Sequence, residues 1–269
     1  MKLIQISDPH FGTERPPVVE ALARLVRDER PDMLIVSGDL TQRARRSQFD
    51  AARAFFDRLD VRPTLVIPGN HDVPLYNIAM RALDPYAGFR RAFGDELEPT
   101  FESDEVMALT VRTTRRYRHI DGEVSGEQID RVATRLAAAG DSQLRIVVTH
   151  QPVAVTRAED EIDLLHGHEA AVRRWSQAGA DLILGGHIHL PYIAALHERH
   201  ADLPRRMWAV QAGTATSWRI RHDAGNSVNL IRYDEPGHCR VERWDYKDDA
   251  DGFSAVAVDD MVLDRVKQA

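Results

Sequence analysis

The sequence predicts an α/β fold built around a parallel sheet. Short, predominantly apolar segments alternate with longer segments whose apolar residues recur at helical spacing. The apolar segments show no polar face, which is typical of strands covered by helices on both sides of a sheet. The 269 residues contain no internal repeat and no Pro/Gly/Ser-rich linker, so we expect one large domain.

The first part of the chain supplies three strands and two helices. The predicted strands are Leu3–Ile6, Met33–Val36 and Thr64–Ile67. The segments between them, Val18–Arg30 and Ser47–Leu59, each carry an apolar stripe at helical spacing, and a proline ends the first. This β-α-β-α-β order favours parallel neighbouring strands.

The middle of the chain is less regular and then resumes the alternation. Prolines interrupt Val73–Asp104, which we expect to form a cap or a rim loop. A capping box of Ser125 and Gln128 marks the start of one later helix. The predicted elements of this part are the strand Val106–Val111, the helix Ser125–Ala139, the strand Leu144–Val148, the helix His168–Gln177 and the strand Asp181–Leu184.

The C-terminal part has a different character, because its strands follow one another without intervening helices. They are predicted at Tyr192–Glu198, Met207–Gln211, Ser227–Tyr233 and Arg240–Tyr246, and they favour an antiparallel second sheet or sheet edge. We expect residues 1–247 to form the domain. Residues 248–269 form an acidic, then apolar tail, predicted as a helix that packs on the body or on a second copy of the chain in a homodimer.

Composition bounds the cellular setting and the partners. The net charge of −7 argues against a dedicated nucleic-acid-binding protein, since such domains are usually basic. A single cysteine, Cys239, excludes an internal disulfide and fits a reducing compartment. The first residues lead directly into a strand, and no apolar run is long enough to span a bilayer. We therefore expect a cytoplasmic protein without a membrane partner.

Polar side chains typical of metal ligands follow five of the predicted strands. They are Asp8, His10, Asp39, Asn70, His71, His150, His187 and His189. Imidazole together with carboxylate and amide oxygen suits divalent first-row metals, whereas calcium and magnesium sites are nearly all oxygen. Two metals about 3.5–4 Å apart need a shared ligand, and a carboxylate is the natural bridge. Each residue alone is unremarkable, but their joint occurrence at strand ends predicts a metal centre.

These residues fall into five short motifs whose order resembles that of the calcineurin-like metallophosphoesterase superfamily. The motifs are Asp8-x-His10, Gly38-Asp39, Gly69-Asn70-His71-Asp72, His150 and Gly186-His187-x-His189. The resemblance implies a four-layer α/β/β/α double-sheet sandwich and two divalent or trivalent ions of manganese, iron or zinc. It implies that Asp8, His10 and His189 hold the first metal, that Asp39 bridges, and that Asn70, His150 and His187 hold the second.

The same resemblance leaves His71 off the metals and directs it toward the substrate. Two cations neutralise phosphoryl oxygens and lower the pKa of a bridging water or hydroxide, which then attacks in line. His71 would protonate the leaving oxygen, because imidazole titrates in the suitable range. The expected reaction is hydrolysis of a phosphoric ester.

The second motif bears on the substrate. Gly38–Ala44 lacks the second aspartate that the Ser/Thr phosphatases of the superfamily carry there, while Arg43 keeps their arginine and is a candidate phosphate ligand. The loops look most like those of bacterial class III cyclic-nucleotide phosphodiesterases and glycerophosphodiesterases, which implies a small phosphodiester substrate. A nuclease or a phosphomonoesterase on the same site stays an alternative. A non-enzymatic phosphometabolite binder is less favoured, because no ligand is missing.

Overall fold

A computed structural model describes residues 1–221 and 224–264. The strands are β1 (Lys2–Ile6), β2 (Met33–Val36), β3 (Thr64–Val66), β4 (Thr100–Glu102), β5 (Val106–Thr110), β6 (Leu144–Val148), β7 (Leu182–Gly185), β8 (Tyr192–Ala195), β9 (Trp208–Gln211), β10 (Ser227–Glu235), β11 (His238–Lys247) and β12 (Gly252–Val262). The α-helices are α1 (Pro16–Glu29), α2 (Arg46–Leu59), α3 (Ile78–Leu83), α4 (Ala87–Phe93), α5 (Gly126–Ala137), α6 (His168–Ala178) and α7 (Leu196–Arg199).

The strands form two mixed sheets that pack face to face. The first has the order β12-β11-β10-β1-β2-β3, and the second has the order β4-β5-β6-β7-β9-β8. In the first sheet β1, β2 and β3 run parallel, with Leu3 opposite Met33. In the second sheet β5, β6, β7 and β9 run parallel. The predicted site residues follow the carboxyl ends of five of these strands, β1, β2, β3, β6 and β7.

Alternation along β1 explains how one strand serves two cores. Leu3 packs with the buried residues of the second sheet, in the apolar layer between the sheets. Its neighbours Ile4 and Ile6 point to the other face and pack with Leu22 of α1 and Phe49 of α2. On the far side of the second sheet, α5 and α6 cover β5, β6 and β7 in a third core. The predicted four-layer α/β/β/α sandwich is thus confirmed.

Of the two arrangements predicted for the C-terminal strands, a second sheet or a sheet edge, the structure shows the sheet edge. β8 and β9 extend the second sheet, and β9 lies parallel to β7. β10 and β11 extend the first sheet, with β10 antiparallel to β1. Without these additions, the buried strands β1 and β7 would each have an unpaired edge. The C-terminal strands pair at these edges and satisfy backbone groups that a separate sheet would leave exposed.

The helix predicted for the tail was wrong. Residues Gly252–Val262 form β12, which pairs antiparallel with β11 along its length and is the edge strand of the first sheet. Met261 is buried between the sheets, whereas Val256 and Val258 are exposed. The apolar spacing that suggested a helix therefore belongs to a half-exposed strand. The segment forms a strand because β11 offers an edge with which it can pair. Residues 265–269, which include the apolar Val266 of the predicted helix, lie outside the described residues.

The irregular segment predicted at 73–104 contains α3, α4 and the short strand β4. Phe89 of α4 is fully buried against α2, while α3 has no buried residue. Arg81 of α3 donates to the carbonyl oxygens of Arg116 and Arg118, so backbone-directed hydrogen bonds rather than a core hold this helix. Among the described residues, no helix has the length and apolarity needed to cross a membrane.

Candidate metal centre

The loops after β1, β2, β3, β6 and β7 meet at one end of the sandwich. Within the first sheet, Asp8 N donates to Gly38 O at 3.1 Å, which joins the loops after β1 and β2. Within the second sheet, Gly186 N donates to His150 O at 2.9 Å. Gln5 links the sheets, because its buried side-chain amide donates to Gly185 O at 2.9 Å. The sequence-predicted ligands are therefore brought together by pairing of the strands that carry them.

The first group of candidate ligands contains Asp8, His10, Asp39 and His189, all buried. The Nε2 atoms of His10 and His189 lie 3.0 Å apart. Asp8 Oδ1 lies 3.3 Å from His189 Nε2 and 3.8 Å from His10 Nε2. Asp39 Oδ2 lies 3.6 Å from His10 Nε2. Four ligand atoms from three loops thus converge on one point.

The second group contains Asp39, His150 and His187, and Asn70 lies against it. Asp39 Oδ1 is 3.3 Å from His150 Nε2. Asn70 Oδ1 is 3.1 Å from His150 Nε2 and 3.0 Å from His187 Nδ1. Since Asp39 directs Oδ2 to the first group and Oδ1 to the second, its carboxylate has the geometry of a bridge between two cations.

The donor set fits metal ions. Ligand atoms held at about 2.0–2.2 Å from one metal lie roughly 3–3.5 Å from one another. The four distances in the first group, 3.0, 3.3, 3.6 and 3.8 Å, lie within about 0.3 Å of this spacing. Asp8 Oδ1 is buried and has no hydrogen-bond partner among the described residues. A buried, ionised oxygen without a donor is costly unless a cation faces it, so the orphaned atom itself indicates a cation site.

The backbone at these ligands is strained. Five of them have positive φ angles between 46° and 74°, which non-glycine residues rarely adopt: Asp8, His10, Asp39, His187 and His189. Such conformations persist where the surroundings over-determine them, and they cluster at functional sites. At Asp8, His10 and His189 this strained backbone carries side chains that converge on the first group.

Two glycines of the motifs are required by close packing rather than by φ. A Cβ built on Gly69 would lie 2.1 Å from Asp39 Oδ1. A Cβ built on Gly186 would lie 1.9 Å from Ser7 Oγ and 2.4 Å from Asp8 Oδ2. The motif glycines therefore leave room for the carboxylates of the neighbouring loops.

Electrostatics set the charge of the ligands. Burial acts to raise the pKa of Asp8, but the neighbouring imidazole of His189 lowers it to about 2. Burial also opposes ionisation of Asp39, yet His150 holds the pKa of that carboxyl well below its usual range. Burial lowers the pKa of His10 to about 3. Burial disfavours the charged form of His150, but Asp39 raises the pKa of His150 to about 9. A cation at the second group must therefore displace a proton from His150.

Comparison with known proteins assigns this geometry to a family. A family model described as calcineurin-like phosphoesterase matches residues 1–191, which is more than half of the chain. The chain belongs to this family. It is thus a metal-dependent phosphoester hydrolase, and the family together with the two ligand groups indicates two metal ions.

Individual relatives of this phosphoesterase are distant. A protein named probable cyclic nucleotide phosphodiesterase from Synechococcus sp. is 27% identical over 207 residues, covering 72% of this chain and 75% of that protein. The glycerophosphodiester phosphodiesterase GpdQ of Enterobacter lignolyticus is 28% identical over 188 residues. That match covers 62% of this chain and 63% of GpdQ, so the chain spans less than two thirds of that relative's length.

Among solved structures, the purple acid phosphatase PPD1 from yellow lupin (Lupinus luteus) seeds shares the fold. It superposes with a TM-score of 0.76 at 14% sequence identity, and the match covers 97% of this chain and 53% of that one. At this identity the likeness bears on the fold alone.

Backbone carbonyls orient several imidazoles of the phosphoesterase site. His150 Nδ1 donates to Ser37 O at 2.7 Å, and His189 Nδ1 donates to Arg219 O. In the neutral imidazole the proton then stays on Nδ1, which leaves the Nε2 lone pair for a metal. These supports were missed in the sequence, because any residue type supplies a carbonyl and no motif marks it.

His71 lies beside both groups but belongs to neither. Its ring packs edge-on against His10, with ring centroids 4.8 Å apart. Its Nδ1 donates to Gln42 O at 2.9 Å, and its backbone N–H donates to Asp39 Oδ1 at 2.8 Å. The half-buried ring also borders a depression of about 130 Å³ next to Asn70. His71 is thus placed to meet a molecule bound at the metal centre.

Arg43 is exposed at the same depression rather than in the metal groups. Its guanidinium lies over the Tyr76 ring, 5.4 Å from the ring centroid, and donates to Tyr76 Oη at 3.3 Å. The other residues that line the depression include Val73, His119 and Ile120. Arg43 therefore lies within reach of a ligand beside His71, although no ligand atom of the metal groups touches it.

Asp72 holds the loops after β2 and β3 together. Its buried carboxylate accepts hydrogen bonds from the backbone N–H groups of Leu40, Thr41 and Gly69 and from the Thr41 hydroxyl, at 2.8 to 3.0 Å. Burial and the charge of Asp39 raise the pKa of Asp72 to about 7, while these hydrogen bonds oppose the rise. Through this contact the fourth residue of the Gly69–Asp72 motif positions the third and the neighbouring Asp39 (φ 53°).

Proposed function

We propose that this phosphoesterase hydrolyses small phosphodiesters, either cyclic nucleotides or glycerophosphodiesters. The observation that carries the proposal is a carboxylate, Asp39, shared between two ligand groups, with His71 beside them and outside both. The names of the two relatives, a cyclic nucleotide phosphodiesterase and a glycerophosphodiester phosphodiesterase, support a diester substrate.

In this proposal seven residues hold two metal ions of manganese, iron or zinc. Asp8, His10 and His189 serve the first, Asn70, His150 and His187 serve the second, and Asp39 serves both. When bound, the metals neutralise the phosphoryl oxygens and lower the pKa of the attacking water. Imidazole-rich sets with few carboxylates favour these metals over calcium and magnesium.

His71 acts on the leaving group. Since its Nδ1 proton is engaged by Gln42 O, a second proton on Nε2 is the one available to the leaving oxygen. The carbonyl fixes the ring while Nε2 gives up and regains its proton. The backbone N–H of the same residue holds Asp39 Oδ1, so the acid and the bridging carboxylate keep a fixed relative position.

The depression beside His71 receives the group esterified to the phosphate. Its volume of about 130 Å³ lies below the roughly 300–1,000 Å³ of pockets that enclose drug-sized ligands. Arg43 at its edge carries a charge that an anionic substrate would meet. The charge of Arg43 beside the depression favours an anionic substrate.

A substrate panel tests this function. The protein is depleted of metal, reloaded with Mn²⁺, and assayed on bis(p-nitrophenyl) phosphate, p-nitrophenyl phosphate, cyclic nucleotides, glycerophosphodiesters and an oligonucleotide. We expect saturable hydrolysis of diesters, a lower kcat/KM on the monoester, and no activity after chelation. Preferred cleavage of the oligonucleotide, or fewer than two metals per chain together with inactivity after Mn²⁺ addition, would refute the proposal.

Three sequence-based expectations remain predictions. They are the division into a domain of residues 1–247 and a tail of residues 248–269, the homodimer, and the cytoplasmic location. The pairing of β12 with β11 is compatible with a tail that packs on the body.

A further inference from the structure

The outer nitrogen of His187 is supported differently from those of the neighbouring imidazoles. His150, His189 and His71 each direct Nδ1 to a backbone carbonyl. His187 instead turns Nδ1 inward, 3.0 Å from Asn70 Oδ1, and its Nε2 faces the carboxylate of Asp163 at 3.6 Å from Oδ1. The side chain of His187 is 6% exposed and that of Asp163 is 27% exposed, so the pair is largely shielded from water.

A buried ion pair fixes the segment that carries this carboxylate. Asp163 is the last residue of a 3-10 helix, Ala158–Asp163. Arg221 Nη1 donates to Asp160 Oδ1 of that helix at 2.7 Å, and Asp160 is 4% exposed. The same Nη1 lies 3.5 Å from Ile188 O, next to His187 in the chain. Arg221 therefore binds both the 3-10 helix and the loop that presents His187.

We propose that Asp163 is a positioning residue that keeps the proton of His187 on Nε2 and so presents Nδ1 to the second metal. A neutral imidazole carries one proton, and whichever nitrogen donates leaves the other as the ligand. A carboxylate at the donating nitrogen orients the ring and raises the basicity of the ligating nitrogen. This inference rests on the proposed assignment of His187 to the second metal.

The site makes this support selective. Asp39 and the first group receive no contact from Asp163, so its removal is expected to weaken one metal and spare the other. Loss of such a support typically lowers metal affinity about 10- to 100-fold. In each variant, the affinity for the first metal therefore serves as the internal control for the affinity for the second.

The test compares Asp163→Ala, Asp163→Asn and the control Glu161→Ala. Glu161 is an exposed acid of the same 3-10 helix, so its removal changes the net charge equally without touching His187. Metal-depleted full-length proteins are titrated with Mn²⁺ by calorimetry and by electron paramagnetic resonance of free Mn²⁺. Circular dichroism and the unfolding temperature verify the fold.

We expect two Mn²⁺ per chain in the wild type and in Glu161→Ala. In Asp163→Ala the affinity for the second Mn²⁺ should fall about 10- to 100-fold, while the affinity for the first Mn²⁺ is retained. Asp163→Asn should lie between, because its amide oxygen still faces the Nε2 proton but lacks the charge. Unchanged second-site affinity in Asp163→Ala, or equal loss at both sites, would overturn the inference. Fewer than two Mn²⁺ in the wild type would instead contradict the proposed metal centre.

Discussion

Replacement of His71 by alanine separates metal binding from proton transfer. The side chain contributes no atom to either ligand group, and its only described hydrogen bond is to the carbonyl of Gln42. The backbone N–H that holds Asp39 Oδ1 survives the substitution. We therefore expect His71→Ala to keep two metals and to lose turnover, whereas Asp39→Ala, which removes the bridge, should lose metal as well.

The expected size of the effect follows from these contacts. General acid catalysis contributes about 10²–10⁴-fold to a rate, so kcat should fall by that factor, equivalent to roughly 3–5 kcal/mol of activation free energy. The lost hydrogen bond to Gln42 O should cost about 1 kcal/mol of folding free energy. For a chain of this size that lowers the unfolding temperature by roughly 2–4 °C.

The assay pairs elemental analysis with steady-state kinetics on a diester with an alkyl leaving group, for which the full loss is expected, and on bis(p-nitrophenyl) phosphate. His238→Ala serves as the control, since His238 is an exposed histidine of β11 outside the site. A substrate with a better leaving group needs less protonation, so the defect of His71→Ala should shrink on it. Equal metal loss in His71→Ala and Asp39→Ala, or near-normal kcat of His71→Ala on the alkyl diester, would refute the separation of ligand and acid.

Three further changes test other parts of the site. Gly69→Ala should lose metal and activity, because its Cβ would lie 2.1 Å from the shared carboxylate. The control Gly126→Ala, whose Cβ would have no neighbouring atom within 4 Å, should retain both and gain up to about 1 kcal/mol of stability. Metal analysis and thermal unfolding measure the two effects. Arg43→Ala should raise KM roughly tenfold at unchanged metal content, if the loss of one charge-assisted contact costs about 1.5 kcal/mol; the exposed Arg46→Ala should leave KM unchanged. In metal-free protein the folded-state pKa of His150, about 9, exceeds its unfolded value. The contribution of His150 to folding stability is therefore complete below about pH 6.5 and disappears as pH rises through about 9. The unfolding temperature of metal-free protein should fall over that window, and that of metal-loaded protein should change less.

The sequence predicted the parallel strands and the ligand loops because both have local causes. Wholly apolar runs require cover on both faces, and polar residues at their carboxyl ends must emerge at one sheet edge. The fate of the C-terminal strands had no local cause. The sequences of β9 and β10 both predict ordinary strands, yet the two strands join different sheets. β9 pairs at the open edge of β7 and β10 at the open edge of β1. The same holds for β12, whose pattern alone favoured a helix.

The support of His187 shows where prediction of the site from sequence stops. Residues 159–163 carry four acids, and nothing in their order marks one of them as functional. In the 3-10 helix, side chains three residues apart eclipse one another, so Asp160 and Asp163 share a face while Glu161 does not. Asp160 on that face binds Arg221, and this contact turns Asp163 toward the imidazole. Which of the four acids faces His187 is thus determined by the period of the 3-10 helix and by the contact with Arg221. Neither can be inferred from the order of the residues.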